Sequence, residues 1–346
     1  MSDIKDRIQS LLRNHQGLMA GSDWRVRLEE LSRQREAGEF EIDKVVPGEL
    51  RGEGDDHFYH TQQDFPLDYL QGDIHLGSAL EAIPEHIALA ACDPDLDGFD
   101  PSTAVFVDTE TTGLSGGTGT MAFLVGVGYF TGDCFRLEQC FMRDFDEEEP
   151  MLRYLDGLFA RAEAVVTYNG KSFDLPLLRT RFISNRIPFR LDSAVHFDLL
   201  HASRRFWKQR LRDCSLGNVE RVVLGVQRLG DVNSAEIPEI WFDYLRTRDA
   251  RKLERVFYHH KHDILSLAAL TGWLSRWCIS ARNDSRTWLA RRTRCSKRKQ
   301  ARRCVTNAWN LQVTPVDACK TGRGYGRTGN SCSRSSRAAC RPGLNS

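Results

Sequence analysis

Hydrophobic residues recur along this chain with two different periods, which predicts a mixed α/β domain. Between residues 104 and 141, three segments rich in β-branched and aromatic residues follow one another, each bounded by Gly, Asp or Thr. We expect them to form a three-strand meander. Another apolar run, at 164–168, predicts a short buried strand.

Helical spacing of apolar residues takes over after the meander. It predicts helices over 147–163, 174–183, 198–208, 215–224, 238–246 and 250 to about 277. The last and longest helix places a stripe of apolar residues along one side: Val256, Leu267, Leu270, Leu274 and Trp277. Alternating strands and helices of this kind indicate a mixed central β-sheet flanked by helices.

The two ends of the chain differ in composition from this central part. Residues 4–16 have the spacing of a short amphipathic helix, and residues 40–100 are rich in Gly, Pro, Asp and His, which predicts loops and short elements. From residue 281 onward there are 16 Lys and Arg against two Asp and Glu, with few apolar residues. We therefore divide the chain into an N-terminal extension (1–100), a folded domain (101–280) and a basic tail that we expect to be disordered (281–346).

Composition narrows the class of protein. The chain has 41% hydrophobic and 27% charged residues, which is typical of a soluble globular protein. Its longest mainly apolar run, 121–130, is too short to span a bilayer, and the first 16 residues lack the apolar core of a signal peptide. We expect a cytoplasmic protein that does not enter a membrane. The ten cysteines include no CxxC pair, so we expect reduced thiols.

Acidic residues stand where the first strand of the meander ends. The stretch "VFVDTETTGL" carries Asp108 and Glu110 directly after three apolar residues. Two later stretches add Asp174, before a predicted helix, and His259 with Asp263, four residues apart on the long helix. Each has a plain structural alternative: a turn residue, a helix N-cap or an ordinary buried histidine.

Together, the acids indicate a metal site. Four carboxylates collected from one strand and two helices would repel one another unless cations were bound. Oxygen ligands favour Mg²⁺ or Mn²⁺, and two such ions would serve a phosphoryl displacement in which they activate water and stabilise the leaving oxygen. Nearby His259 would then take the proton of the water.

Three motifs, "DTETTGL", "YNGKSFDLPLL" and "HHKHD", resemble the exonuclease motifs of the DEDD superfamily. The chain is more closely similar to the ribonuclease H-like domain of the YprB family, over roughly residues 45 to 275. Intervening segments resemble that family in the same order: "GGTGTMAFLVGVGYF", "DLLHASRRFWKQRL", "CSLGNVERVVLG" and "GDVNSAEIPEIWFDYL". This resemblance implies an RNase H-like fold and metal-dependent 3′-to-5′ exonuclease activity.

The resemblance also implies roles for individual residues. Asp108, Glu110, Asp174 and Asp263 would be ligands of two Mg²⁺ or Mn²⁺ ions. His259 precedes Asp263 by four residues, where the superfamily's tyrosine branch has Tyr. The histidine branch has its His five residues before, a position that is Tyr258 here, so two residues are candidates for the base.

Further residues are candidates for contact with nucleic acid. In the glycine-rich loop after the first strand these are Thr111, Gly113 and Leu114; beside the second motif they are Asn169 and Lys171. A cationic cluster with aromatic residues adds Arg204, Arg205 and Lys208, although a solvated helix face with core aromatics would have the same sequence. Asp198 would either support the metal site or cap a helix.

Two functions of different classes follow from these residues. The first is a two-metal nuclease acting on the 3′ end of DNA or RNA, with a single-stranded end as the expected substrate. The second is a catalytically inactive nucleic-acid-binding module with the same fold. An endonuclease using the same ions is a variant of the first. The recognisable residues would contact phosphate and metal, so they specify neither base nor sugar.

Overall fold

The computed structural model describes residues 40–54, 56–113 and 119–283, with side chains up to residue 276. The helix expected at 4–16, the candidate Leu114 and the basic tail from residue 284 lie outside the described residues.

A seven-stranded mixed sheet forms the centre of the described structure. Its strands are β1 (Glu49–Glu53), β2 (Asp56–Pro66), β5 (Ala104–Thr111), β6 (Ala122–Thr131), β7 (Cys134–Phe141), β8 (Ala164–Thr167) and β9 (Val195–Asp198). Their order across the sheet is β1-β2-β7-β6-β5-β8-β9. β3 (Leu70–Gln71) and β4 (Ile74–His75) form a separate hairpin. Strands β5, β8 and β9 run parallel, and the other neighbours in the main sheet are antiparallel.

Helices flank this sheet. They are α1 (Ile42–Val45), α2 (Pro84–Ala91), α3 (Glu148–Phe159), α4 (Asp174–Ser184), α5 (Leu199–Trp207), α6 (Leu216–Val219), α7 (Ile237–Thr247) and α8 (Leu253–Asn283). A π-helical turn, Glu220–Leu224, extends α6 and ends at Gly225, whose φ of 73° favours glycine. Short 3₁₀ turns lie at Leu76–Ala79, Pro94–Gly98, Phe145–Glu147, Arg190–Ser193 and Ser234–Glu236.

The expected mixed α/β fold is confirmed, as is the meander, which consists of β5, β6 and β7. The structure differs over residues 40–100. There, β2 is 11 residues long and pairs with β7 inside the main sheet. Its sequence gave little sign of this because the middle of the strand buries the polar residues His60 and Thr61. The expected boundary at residue 100 thus falls after two strands of the sheet, and the domain limits stay a prediction.

Alternation along β5 separates two hydrophobic cores. Val105 and Val107 belong to the core that includes residues of α3, α4 and α7. Ala104 and Phe106 belong to the core that includes residues of α2, α5 and α8. The sheet is therefore covered on both faces, and each residue of β5 is assigned to one face by its parity.

Two glycines of β6 allow α8 to lie very close to the sheet. A Cβ atom on Gly126 would stand 2.0 Å from Cδ1 of Ile264 and 2.6 Å from Cε1 of His260, and one on Gly128 would stand 2.8 Å from Cγ2 of Ile264. Any larger residue would push the helix outward. The close approach brings α8 against β5, beside β6.

No helix within the described residues has the length and apolar character needed to cross a membrane.

Candidate active site

The carboxyl-terminal half of β5 presents different chemistry on its two faces. Its first four residues are buried, and Asp108, Thr109 and Glu110 are partly exposed. Because side chains alternate, Asp108 and Glu110 share the face of Phe106 and α8, while Thr109 shares the face of Val107 and α4. The DxE spacing thus delivers two carboxylates to the α8 side of one strand end.

Asp174 approaches the strand from the other face. It is the first residue of α4, and Oγ1 of Thr109 donates a hydrogen bond of 2.6 Å to its Oδ1. The structure gives no side-chain cap to this helix, whose N-cap residue is Phe173. The carboxylate of Asp174 therefore faces β5 instead of capping its own helix.

Asp198 holds the loop that leads to Asp174. Its Oδ1 accepts hydrogen bonds from the backbone N–H groups of Asn169 (2.8 Å) and Leu200 (3.0 Å), and its Oδ2 accepts one from Lys171 (3.1 Å). The bond from Leu200 caps α5, and the other two fix the 169–171 loop. This buried side chain therefore caps α5 and fixes the loop, and its support of a metal site stays a prediction.

Helix α8 supplies Asp263 and His259 to the same strand end. Nε2 of His259 lies 3.3 Å from Oδ2 of Asp263 and 3.9 Å from Oε1 of Glu110. One ligand atom from each of these three residues lies within 4.8 Å of the others. β5 and α8, which are far apart in sequence, therefore bring Glu110, Asp263 and His259 together. The charge of Asp108 interacts with those of the other acids, and Asp174 of α4 joins through Thr109.

A polar row beneath α8 fixes its position on the sheet. Asp108, Gly126 and Gln139 are in register on adjacent strands. The buried ring of His260 accepts a hydrogen bond at Nδ1 from Nε2 of Gln139 (3.1 Å) and donates one from Nε2 to the backbone oxygen of Asp108 (3.1 Å). Burial lowers the pKa of His260 to about 4, so this histidine is a neutral structural link.

Arg228 lies among these acids, although the sequence analysis did not select it. Its Nη2 donates to Oδ1 of Asp263 (2.6 Å) and to Oε1 of Glu220, a buried carboxylate on the π-helical turn. Its Nη1 donates to the backbone oxygen of His259 (3.2 Å). Burial opposes the charge of this guanidinium, but Asp263 and Glu220 raise its pKa above the usual value, so it stays cationic.

Burial raises the pKa values of these acids, and repulsion between their charges adds to it. Burial, followed by the charges of Asp263, Asp174 and Glu110, raises the pKa of Asp108 well above its usual value. Glu110 is raised well above its usual value by burial and then by Asp263 and Asp174. Burial raises the pKa of Asp174 to about 6 despite the Thr109 hydrogen bond. Within the described residues, neither Asp108 nor Glu110 accepts a hydrogen bond on its carboxylate.

This donor set fits hard divalent cations. Carboxylates that are crowded together, partly buried and without hydrogen-bond donors gain most from bound positive charge. Arg228 provides only one such charge, and it contacts Asp263 and Glu220 instead of Asp108 or Asp174. We call the set Asp108, Glu110, Asp174 and Asp263 the acidic centre.

Two of the candidate contacts for nucleic acid, Thr111 and Lys171, interact with other parts of the protein. Oγ1 of Thr111 donates to the backbone oxygen of Gly113 (3.1 Å), so it stabilises the turn after β5. Nζ of Lys171 forms an ion pair with Asp93 (3.2 Å), and Asn169 has a positive φ of 69° at the start of its loop. Contact of these residues with nucleic acid stays a prediction.

The cationic stretch on α5 has buried aromatic residues, and contact of Arg204, Arg205 and Lys208 with nucleic acid stays a prediction. Phe206 and Trp207 are buried in the core shared with α8, so their rings are not available to stack on bases. Arg205 donates to the backbone oxygens of Leu89 and Ala90 at the end of α2. Arg204 and Lys208 are exposed, and their charges face solvent.

Three charged residues of this region were missed by the sequence analysis: Glu220, Arg228 and Asp231. They lie between 220 and 231, in a stretch with a π-helical turn and irregular structure, and they reach the site only through tertiary contacts. The local signal was the charge of Glu220 and Arg228 within a segment that is mostly apolar.

A family model and a related protein both match this chain. A family model described as the RNase_H superfamily matches residues 105–275. The chain is 35% identical over 189 residues to "Uncharacterized protein YprB" of Bacillus subtilis (strain 168), covering 53% of this chain and 44% of that protein. The chain thus spans less than half the length of this relative.

A solved structure is also similar, at a lower level. It is that of the family B DNA polymerase from the hyperthermophilic archaeon Pyrobaculum calidifontis, with 16% identity and a TM-score of 0.40. The likeness covers 50% of this chain and 24% of the polymerase.

Proposed function

The chain belongs to the RNase H superfamily through a YprB-type domain at residues 105–275, and from this premise we propose that it is a metal-dependent 3′-to-5′ exonuclease. Its substrate would be the single-stranded 3′ end of DNA or RNA, and its cofactor two Mg²⁺ or Mn²⁺ ions. The single observation that carries the proposal is the meeting of Glu110 and Asp263 at Nε2 of His259. Asp108 shares the face of β5 with Glu110, and Asp174 is bonded to the intervening Thr109.

Each residue of the acidic centre would have a defined task. The four carboxylates would hold the cations, which would stabilise charge on the phosphodiester and lower the pKa of the attacking water. The hydroxyl of Thr109 orients Asp174 by occupying its Oδ1. Nε2 of His259 faces Asp263 and Glu110 and would accept the proton of the water.

Geometry favours His259 over Tyr258 as the base. The ring of Tyr258 packs edge-on against His262, with centroids 4.4 Å apart, and Nζ of Lys261 lies over its face. The ring of His259 lies between two carboxylates of the acidic centre instead. A base must come within hydrogen-bonding distance of the proton that it removes, which favours the residue nearer the acids.

The test is a nuclease assay with a linear and a circular substrate. With Mn²⁺, the purified protein should shorten a single strand labelled at its 5′ end one nucleotide at a time and leave a circular strand intact. Asp108→Ala should abolish the reaction, while Asp64→Ala, which removes an exposed carboxylate paired with Arg136, should leave it unchanged.

Two results would replace this proposal. Internal cuts in the circle would identify an endonuclease. Binding without cleavage in both Mg²⁺ and Mn²⁺ would identify the inactive binding module. The cytoplasmic location stays a prediction from the sequence.

A further inference from the structure

The imidazole of His259 is held on both edges by the segment before α7. Its Nδ1 lies 2.9 Å from Oδ1 of Asp231, and its Nε2 lies 3.2 Å from Oγ of Ser234. The ring is largely buried, so these contacts, with Asp263 and Glu110 beyond Nε2, determine its orientation. Asp231 is therefore the carboxylate on the edge of the ring that faces away from the acidic centre.

Asp231 is itself fixed. Its Oδ1 accepts a hydrogen bond from the backbone N–H of Val232 (2.9 Å), and its Oδ2 lies 3.5 Å from Nη1 of Arg228. A carboxylate held in this way beside one ring nitrogen accepts the N–H of that nitrogen. The lone pair of a neutral imidazole is then left on the other nitrogen.

A competing contact points to the opposite tautomer. Nη1 of Arg228 lies 3.3 Å from Nδ1 of His259 and would require a lone pair there. The contact with Asp231 is shorter by 0.4 Å, and Nη1 already has an acceptor in the backbone oxygen of His259, at 3.2 Å. A carboxylate oxygen can only accept, so Asp231 favours a proton on Nδ1 and Asp263 favours one on Nε2. The contact with Asp231 is the shorter, at 2.9 Å against 3.3 Å, and we therefore assign the proton of the neutral ring to Nδ1.

We propose that Asp231 is a positioning residue that keeps His259 protonated at Nδ1 and directs the lone pair of Nε2 toward the acidic centre. This inference rests on the proposed function and deepens it. In the reaction, the water oxygen bonds to phosphorus while Nε2 takes one of its protons. The bond from phosphorus to the 3′ oxygen of the penultimate nucleotide breaks. That oxygen takes a proton from solvent, and His259 later releases its own.

The experiment combines nitrogen NMR with kinetics. In protein labelled with ¹⁵N-histidine and loaded with Mg²⁺, at about pH 9, well above the pKa of about 6.5 of a free imidazole, His259 should show the Nδ1–H tautomer. Its signal is assigned by its loss in His259→Gln. Asp231→Ala should shift this tautomer toward Nε2–H and lower kcat by roughly 10- to 100-fold, with KM changed by less than about 2-fold.

Asp231→Asn provides the control that separates positioning from folding. The amide oxygen of Asn can still accept the Nδ1–H, so this variant should retain the tautomer and recover most of kcat. Asp64→Asn, which alters an exposed ion pair with Arg136, should change neither measurement.

Different results would overturn the role of Asp231 and the nuclease activity. An unchanged tautomer in Asp231→Ala, or equal loss of kcat in the Asn and Ala variants, would overturn the role of Asp231. Nδ1–H in a protein that cuts no nucleic acid would instead overturn the nuclease, while the contact itself would stand.

Discussion

Two clusters of buried acidic chemistry lie on opposite faces of the same sheet. On one face, Asp108 and Glu110 of β5 meet Asp263 of α8, and Asp174 of α4 joins them at the strand end through Thr109. On the other, Glu138 of β7 accepts hydrogen bonds from Nε2 of His60 (2.7 Å) and from the hydroxyls of Tyr129 and Tyr154. We call these four residues the Glu138 cluster.

The two clusters respond to burial in opposite ways. Burial alone would raise the pKa of Glu138, but the hydrogen bonds from His60, Tyr129 and Tyr154 outweigh it and lower the pKa to about 2. In the acidic centre, burial and like charges act together, and the pKa values of Asp108 and Glu110 rise. Buried acid is thus structural where donors surround it, and it indicates a ligand site where they are missing.

The largest expected effect comes from Glu110→Gln. It should lower nuclease turnover by roughly 10³-fold, equivalent to about 4 kcal/mol of transition-state stabilisation, because it removes a cation ligand. In EDTA, the same change should raise the free energy of unfolding by about 1 kcal/mol, since one repelling charge is gone. Activity assays and urea denaturation measure the two quantities. A variant that is both active and less stable would contradict the comparison.

Arg228→Met should destabilise the protein in EDTA by about 3 kcal/mol, because Asp263 and Glu220 would lose their shared buried cation. Saturating Mg²⁺ should recover part of this loss by pairing with Asp263. Urea denaturation with and without Mg²⁺ measures the effect. The matched control is Arg136→Met, which breaks an exposed pair with Asp64 and should cost less than about 1 kcal/mol. Equal costs for the two variants would mean that Arg228 has no special role.

Glu138→Gln is the same substitution as Glu110→Gln, made in the Glu138 cluster on the opposite face of the sheet. It should lower the free energy of unfolding by about 2 kcal/mol, since three donors lose a charged acceptor. Nuclease activity at a temperature where the variant is folded should stay within about 2-fold of the parent, since no substrate contact is altered. A loss of activity as large as that of Glu110→Gln would show that the Glu138 cluster is not simply structural.

An effect about as large as that of Glu138→Gln is expected as a pH dependence in the absence of cations. The folded pKa of Asp174 is about 6, above the ordinary 3.8. Its protonation therefore favours the folded state below about pH 4, and this advantage is lost as the pH rises through 6.

Asp174→Asn isolates this contribution. Between about pH 4.5 and about pH 7 in EDTA, the stability of the parent relative to the variant should fall by about 2 kcal/mol. Urea denaturation at both pH values measures the difference. With saturating Mg²⁺ the fall should vanish, because a bound cation removes the benefit of protonation; a fall that persists would argue against cation binding at Asp174.

Local sequence was enough to find the elements with strong periodicity. The meander and the helices after it follow from apolar spacing, and the acids at strand and helix ends follow from their position beside it. β2 was missed because its buried centre includes the polar residues His60 and Thr61, and the alternation of apolar and polar residues that predicts a strand does not place such residues in a core. β9 was missed because four residues between a 3₁₀ turn and a helix provide too short a pattern.

Arg228 and Asp231 were not predicted as site residues for a different reason. Their contacts with the site reach across 35 and 28 positions, from Arg228 to Asp263 and from Asp231 to His259. Side-chain pairing over such distances depends on how helices pack. Sequence periodicity carries no information about it.

The sequence by itself determined which residues could bind cations, since residue type and placement at element ends are local properties. Only the tertiary structure decided how they act together. Gly126 sets the depth at which α8 lies on the sheet, and Arg228 and Asp231 fix the orientation of Asp263 and His259. The physical reason is that electrostatic interaction depends on distance and burial, which are fixed when the chain packs.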